Sequence, residues 1–456
     1  MGRWDNVEED PEEVARIKAE KEAKKRAKAE KKAREAAAAL AAQQAASQAT
    51  PPPSKRRRLD TPSAQDDDEE ESRPKPKIRH LRFEGPVMTP SRSVDEYEPL
   101  NQIEEGSYGI VSRAKEIATG EIYALKKIKF TIGGQGEAGF PLTSLREIQV
   151  LMRGSEHRNL VGLKEMVVGE SLDSVYIVMP FLPHDLKALL DTMPEPFLPS
   201  EIKTLVLQLA SGVAYLHKHS ILHRDLKTSN LLLSNTGQLQ IADFGLARYT
   251  PTDGSEMTAP HMIVTLWYRS PELLLGDKNY GKPLDMWSVG CIFGELFWKD
   301  AILQGKTAVD QMMKIIDLCG PPSEENWPGF KRLANARALK LQKPITSTKQ
   351  MLRPKFPLLT NAGMEVLAGL LTLDPSQRMT AEEVLVHPYF KEDPRPKAEE
   401  LLPTFPSKAN QERRRRHSPG APVRGEEGDK EVWKGDLFGA VEEEEVGAGF
   451  QLKMGR

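Results

Sequence analysis

The chain reads His223-Arg224-Asp225-Leu226-Lys227-Thr228-Ser229-Asn230, and thirteen positions beyond Asn230 it reads Asp243-Phe244-Gly245. These two stretches decide the fold. Within eight residues the first places an acid that can take a proton, a lysine that can reach a developing negative charge, and an amide oxygen. The second adds another carboxylate, so that two oxygen donors are at hand for a hard divalent cation. Each triplet alone is common in proteins. The two in this order and spacing are not a chance arrangement.

Working outward, the N-terminal side carries short β-like runs at Tyr97–Ile103, Gly109–Glu116, Ile122–Phe130 and Val175–Met179. Gly106-Ser107-Tyr108-Gly109 sits between the first two runs, and glycine lets backbone N–H groups approach a phosphate closely. Tyr123-Ala124-Leu125-Lys126 places a lysine on the next strand, and Leu145-Arg146-Glu147-Ile148 begins a helical pattern continued at Leu151. Glu147 can orient Lys126 through an ion pair. Beyond Asp185, apolar residues recur at helical spacing: Ile202, Leu205, Val206, Leu209, Val213 and Leu216. Strands first and helices later predict an α+β architecture in two lobes.

The parts fit one chemistry. Phosphoryl transfer from ATP asks for positioned phosphates, neutralised charge and an oriented hydroxyl nucleophile. Asp225 would accept the hydroxyl proton and Lys227 would reach the transferring phosphate. Asn230 and Asp243 would hold Mg²⁺, and Lys126 would contact the α- and β-phosphates. The glycine loop departs from the usual G-x-G-x-x-G in that Glu104 stands at its first glycine.

At this point segment 97–390 resembles a cyclin-dependent protein kinase. Pro141-Leu142-Thr143-Ser144-Leu145-Arg146-Glu147 resembles the PITSLRE signature that names one subfamily. Val264-Thr265-Leu266-Trp267-Tyr268-Arg269-Ser270-Pro271-Glu272 is similar to the group's V-T-L-W-Y-R-A-P-E, with Ser270 at the alanine. Asp285-Met286-Trp287-Ser288-Val289-Gly290 and Arg378 match large-lobe positions, and the tail Gly447–Lys453 resembles that of the subfamily. The resemblance implies a small β-rich N-lobe with one regulatory helix and a larger helical C-lobe. It implies ATP contacts from Ile103, Glu104, Glu105, Gly106, Ser107, Tyr108, Gly109, Ile110 and Val111, and from Ala124 and Lys126. It places the hinge at Pro180-Phe181-Leu182, with Met179 at the rear of the pocket and Asp185 at the ribose edge, and counts Leu232 among the ATP contacts. It further implies an L-type cyclin partner, protein substrates with Ser/Thr followed by Pro, a nuclear location, and roles in transcription, pre-mRNA splicing or cell-cycle control. Thr265 and Arg269 fall where the substrate loop would be shaped.

Regulation follows from charge. Arg146, Arg224 and Arg248 belong to three different elements, and three converging arginines call for an anion between them. A phosphothreonine between Asp243 and Glu272 would supply it. Thr258 is the candidate, with Thr252 and Ser255 as alternatives, because the loop is about two residues longer than the family pattern. Ser107 and Tyr108 match the family's inhibitory phosphosites, where added phosphate would repel the nucleotide.

The remainder bounds the reading. The 456 residues carry a formal net charge of −2 and 39% hydrophobic residues, enough for one sizeable core with polar tails. Residues 1–92 read as a charged tail, holding Lys55-Arg56-Arg57-Arg58 as a candidate nuclear import signal, and 391–456 as a disordered C-terminal tail. Cys291 and Cys319 make no disulfide framework. No membrane contact is expected, and no direct nucleic-acid binding, since the basic blocks lack interleaved aromatics. The rival to an active enzyme is a pseudokinase scaffold for RNA-processing partners. A mitogen-activated kinase would want Thr-x-Tyr in the activation loop, and Arg248 to Ile263 has none.

Overall fold

A computed structural model describes residues 91–106, 109–132, 138–171, 174–250, 264–339 and 347–406. All of these lie in the second of two units into which the chain divides, Pro86–Arg456. Ser107, Tyr108, Thr252, Ser255 and Thr258 fall outside the described residues, as do the basic clusters Lys55–Arg58 and Arg413–Arg416.

The N-terminal half of the described fold is a six-stranded sheet in the order β1-β7-β8-β4-β3-β2. Its strands are β1 (Arg92–Ser93), β2 (Tyr97–Gly106), β3 (Gly109–Glu116), β4 (Ile122–Ile128), β7 (Glu165–Val168) and β8 (Val175–Pro180). A two-residue pair, β5 (Thr131–Ile132) and β6 (Ala138–Gly139), leads into helix α1, Leu142–Gly154. The chain cannot be helical before Pro141, so α1 starts there rather than at Leu145. Ser144, Glu147, Ile148, Val150 and Leu151 are buried, while Leu142 and Leu145 are exposed. Apolar residues at the start of α1 thus face outward.

The second half is helical. It comprises α2 (Leu186–Thr192), α3 (Pro199–Lys218), α4 (Pro271–Leu274), α5 (Pro283–Trp298), α6 (Ala308–Cys319), α7 (Thr348–Leu352), α8 (Asn361–Leu370) and α9 (Ala381–Val386). Helix α3 begins with proline at its first turn, and Glu201 reaches back to accept the Leu198 N–H at 2.9 Å. The six residues of the predicted stripe, Ile202 to Leu216, are each no more than 1% exposed. Burial of each contributes about 1.5–3 kcal/mol. Three short pairings finish the lobe: β9 (His184–Asp185) with β11 (Leu231–Leu233), β11 with β12 (Leu239–Ile241), and β10 (Ile221–Leu222) with β13 (Arg248–Tyr249).

One large core runs from Ile128, Leu151 and Ile177 through α3 and α5 to Tyr389 and Phe390. A smaller cluster of Tyr97, Ala114, Leu125, Val167 and Val178 covers the other face of the sheet. The two-lobed α+β expectation therefore holds. The described fold also extends beyond segment 97–390 at both ends. Residues 92–96 pack on the sheet through β1, and 391–406 pack on the helical lobe. Among the described residues no helix is long and apolar enough to cross a membrane, and Cys291 and Cys319 are buried free thiols.

Candidate active site

Side chains alternate along β4. Leu125 joins the small outer cluster and Ile128 joins the large core, so Lys126, in phase with Ile128, faces the large core. Its ammonium lies 2.5 Å from Glu147 Oε1 on α1 and 4.0 Å from Asp243 Oδ1. Burial pushes the Glu147 carboxyl up, and the Lys126 charge pulls it back. Ionic partners this dry depend on each other, since loss of one strands the other charge.

Above this pair, Gly106 registers with Gly109 at the end of the β2–β3 hairpin. A Cβ on Gly109 would sit 2.3 Å from the Lys127 carbonyl oxygen, so close strand approach demands glycine there. Glu104 and Glu105 register with Val111 and Ile110, and the ladder shifts register between Gln102 and Glu104 but runs on to Gly106. Glu104 at the first glycine position therefore leaves the hairpin intact.

The catalytic-loop stretch is held from below by Asp285, a fully buried residue on α5. Its carboxylate accepts the His223 N–H at 3.0 Å, the Arg224 N–H at 2.9 Å and His217 Nε2 at 2.9 Å. Burial alone would push this carboxyl up. The hydrogen bond and charge of His217, the charge of His223 and the Arg224 N–H outweigh it and hold the carboxyl below its ordinary range. The anchoring fixes Arg224 at φ 64°, a left-handed backbone that only a well-determined site sustains. Asp243 adopts φ 63° in the same way, and Phe244 packs edge-on to His223 at 5.3 Å.

Asp225 is correspondingly fixed. Its Oδ1 accepts from Thr265 N–H at 3.0 Å and Thr265 Oγ1 at 2.8 Å, and its Oδ2 lies 3.0 Å from Lys227 Nζ. Asn230 Nδ2 donates to the Asp225 backbone carbonyl at 2.9 Å, which leaves the Asn230 amide oxygen as a donor atom for a cation. Among the described residues no three His, Cys, Asp or Glu side chains gather as a metal site. Asn230 and Asp243 suit Mg²⁺, which takes one or two protein oxygens and completes its shell with phosphate and water.

At the junction of the lobes, Phe181 lies under the Arg113 guanidinium at 5.4 Å, and Met179 and Leu182 pack on the large core. Asp185 registers with Leu232, and its Oδ1 caps α2 by accepting the Ala188 N–H at 2.7 Å. The structure thus brings together Lys126, Glu147 and Asp243, then Asp225, Lys227, Asn230 and Thr265, and then Asp185 with Leu232. Arg248 registers with Leu222, two residues before Arg224. Arg224 itself donates to the Leu246 carbonyl at 2.7 Å and the Tyr280 hydroxyl at 2.9 Å, neither of them an anion.

Sequence reasoning missed several supports. Tyr280 gave no signal, because a lone tyrosine before a helix has none. Glu295 on α5 accepts from Thr228 at 3.0 Å and Tyr268 at 2.7 Å, tying the catalytic loop to the segment before α4. Burial pushes its carboxyl up to about 7, against the Tyr268 hydroxyl, Lys187 and Thr228. Val264 takes φ 59°, and its carbonyl accepts from Arg269 Nη2 at 3.1 Å. Arg378, which the sequence did single out, makes a two-pronged pair with Glu272 at 2.7 and 2.8 Å.

The family model for the protein kinase domain matches residues 97–390. The chain is 50% identical to the serine/threonine-protein kinase ppk23 of Schizosaccharomyces pombe over 333 residues, covering 73% of this chain and 82% of that protein. It is 46% identical to cyclin-dependent kinase 11B of Homo sapiens over 354 residues, covering 77% of this chain. It is 47% identical to cyclin-dependent kinase G-2 of Oryza sativa subsp. japonica over 331 residues, covering 71% of this chain. The match spans only 43% and 45% of those two longer relatives. Among solved structures, a crystal structure of the yeast RNA Pol II CTD kinase CTDK-1 complex is similar at TM-score 0.61 and 36% identity, covering 70% of this chain and 100% of that one.

Proposed function

This chain belongs to the protein kinase family, as a cyclin-dependent Ser/Thr kinase of the PITSLRE type, and from that premise we propose that it transfers the γ-phosphoryl group of ATP to Ser or Thr followed by Pro in nuclear proteins. The observation that carries the reading is the closed Lys126–Glu147 pair at 2.5 Å with Asp243 4.0 Å away. It sets the phosphate-binding lysine and the metal-binding carboxylate in one place. Bound Mg²⁺ would neutralise phosphate charge between Asn230 and Asp243. Asp225 orients the substrate hydroxyl and accepts its proton. Lys227, 3.0 Å from that carboxylate, meets the charge that develops on the phosphoryl oxygens.

The preference for proline has a physical support here. Arg269 occupies the Val264 carbonyl, which the left-handed Val264 has turned away. A substrate residue following the phosphoacceptor would then lack an acceptor for its N–H, and proline has no N–H to satisfy. Cyclin dependence is supported by Leu142, Leu145 and Met152, which are 41%, 44% and 59% exposed on the helix that carries Glu147. A partner covering them sets the helix and hence the ion pair. The L-type identity of the cyclin rests on the PITSLRE-like helix. Action on transcription or splicing rests on the same resemblance. Nuclear location rests on Lys55–Arg58 and Arg413–Arg416; deleting both should release the protein to the cytoplasm. Buried Arg224, held by a carbonyl and a tyrosine, favours an activating phosphothreonine, with Thr258 as candidate.

The test is incorporation of radiolabelled phosphate from ATP into matched Ser-Pro and Ser-Ala peptides by the purified chain with and without a cyclin. Labelled serine in the Ser-Pro peptide, dependent on cyclin, is the expected result. Equal labelling of both peptides removes the proline reading, and full activity of the unphosphorylated chain alone removes cyclin dependence.

A further inference from the structure

The matched kinase segment ends at residue 390, yet the chain continues as a strap along the helical lobe. Lys397 donates its N–H to the Ser200 carbonyl at 3.1 Å and accepts from Thr204 Oγ1 at 2.6 Å. Its ammonium pairs with Glu201 at 2.9 Å. Glu399 pairs with Arg158, in the turn that follows α1. The strap lies so close that a Cβ on Gly237, already at φ 79°, would meet the Glu399 carbonyl oxygen at 2.0 Å. Leu402 is 5% exposed. Finally Phe405 stands edge-on to His184 at 5.9 Å and to Phe197 at 6.3 Å.

The place where the strap ends matters more than its hydrogen bonds. His184 and Asp185 form β9, whose whole length is paired with Leu233 and Leu232. His184 is buried and held by Asn235 at 2.8 Å, and Phe405 closes its edge. One residue on, Asp185 stands at the expected ribose edge, and its register partner Leu232 is another of the expected ATP contacts. A two-residue strand has little stiffness of its own. We propose that Phe405 is a positioning residue for the nucleotide: it braces β9, so that Asp185 and Leu232 are in place when ATP enters. The proposal rests on the ATP-dependent reading above. It makes residues 391–406 part of the working kinase rather than tail.

Two measurements on the full chain with its cyclin test this. Titration calorimetry with a non-hydrolysable ATP analogue gives affinity without turnover, and steady-state kinetics separate KM from kcat. Phe405→Ala should weaken nucleotide binding and raise KM for ATP by about fivefold, with kcat per active site and peptide KM within about twofold of the unchanged protein. Phe405→Leu, which keeps an apolar side chain, should give a smaller shift in the same direction. A chain ending at Pro406 should match the full chain. If Phe405→Ala lowers the melting temperature while nucleotide affinity and KM stay unchanged, the residue is only structural and the proposal is wrong. If the unchanged protein binds no analogue, the nucleotide reading falls first and takes this inference with it.

Discussion

Replacing Asp285 by asparagine keeps the shape of the side chain and removes its charge. The carboxylate accepts three hydrogen bonds in a site with no solvent exposure, from the His223 and Arg224 N–H groups and from His217. An amide has one oxygen, so its NH₂ must face at least one of these donors and leave a buried N–H unpaired. Each such loss costs about 1–3 kcal/mol, and the one or two lost donors together with the missing charge give about 2–5 kcal/mol. The left-handed Arg224 loses the anchor that sustains it, so Asp225 beside it shifts. Denaturant unfolding should show the stability loss, and kcat should fall at least as far as KM changes. The sign with pH is set by the lowered Asp285 carboxyl. Its stabilisation is present above the ordinary value of 3.8 and is lost as pH falls through the lower folded value, so the unchanged protein should lose this advantage only in strong acid. Unfolding of Asp285→Asn within about 0.5 kcal/mol of the unchanged protein would refute the anchoring argument.

Glu295, pushed up to about 7, is an acid whose protonated form the fold prefers. Stability should therefore decline between about pH 4.5 and 7, by at most about 3 kcal/mol from this group, and Glu295→Gln should flatten that slope in pH-dependent unfolding. Ser270 is fully buried at the alanine of the family pattern, and among the described residues its hydroxyl has no hydrogen-bond partner. Ser270→Ala should raise stability by about 1 kcal/mol, read as a higher melting temperature. Arg269→Ala frees the Val264 carbonyl, so discrimination between Ser-Pro and Ser-Ala peptides in kcat/KM should shrink by about tenfold.

The chemistry was legible because its residues are spaced along the chain as they are used. Asp225, Lys227 and Asn230 occupy one loop, and each meets its neighbour in the structure. The pairing of Lys126 with Glu147 was legible too, from a strand lysine followed by a helical glutamate. The two ends of the folded segment were not. Arg92 holds β1 to the sheet through Glu116 at 2.9 Å and Glu165 at 2.8 Å, and the strap relies on Lys397, Glu399, Leu402 and Phe405. Both are polar stretches with few apolar anchors, and composition reads them as tail. Asp285 matched a structural position by resemblance, but its three hydrogen bonds join parts more than 60 residues apart. Leu142 and Leu145 fit a helical pattern, and only packing reveals that they face outward.

Asp225 serves transfer rather than nucleotide binding. Asp225→Asn, assayed with cyclin in a single-turnover phosphotransfer experiment beside a nucleotide titration, tests it most directly. Nucleotide affinity should stay within about twofold of the unchanged protein while the transfer rate falls by about a hundredfold or more. A transfer rate equal to that of the unchanged protein would contradict it.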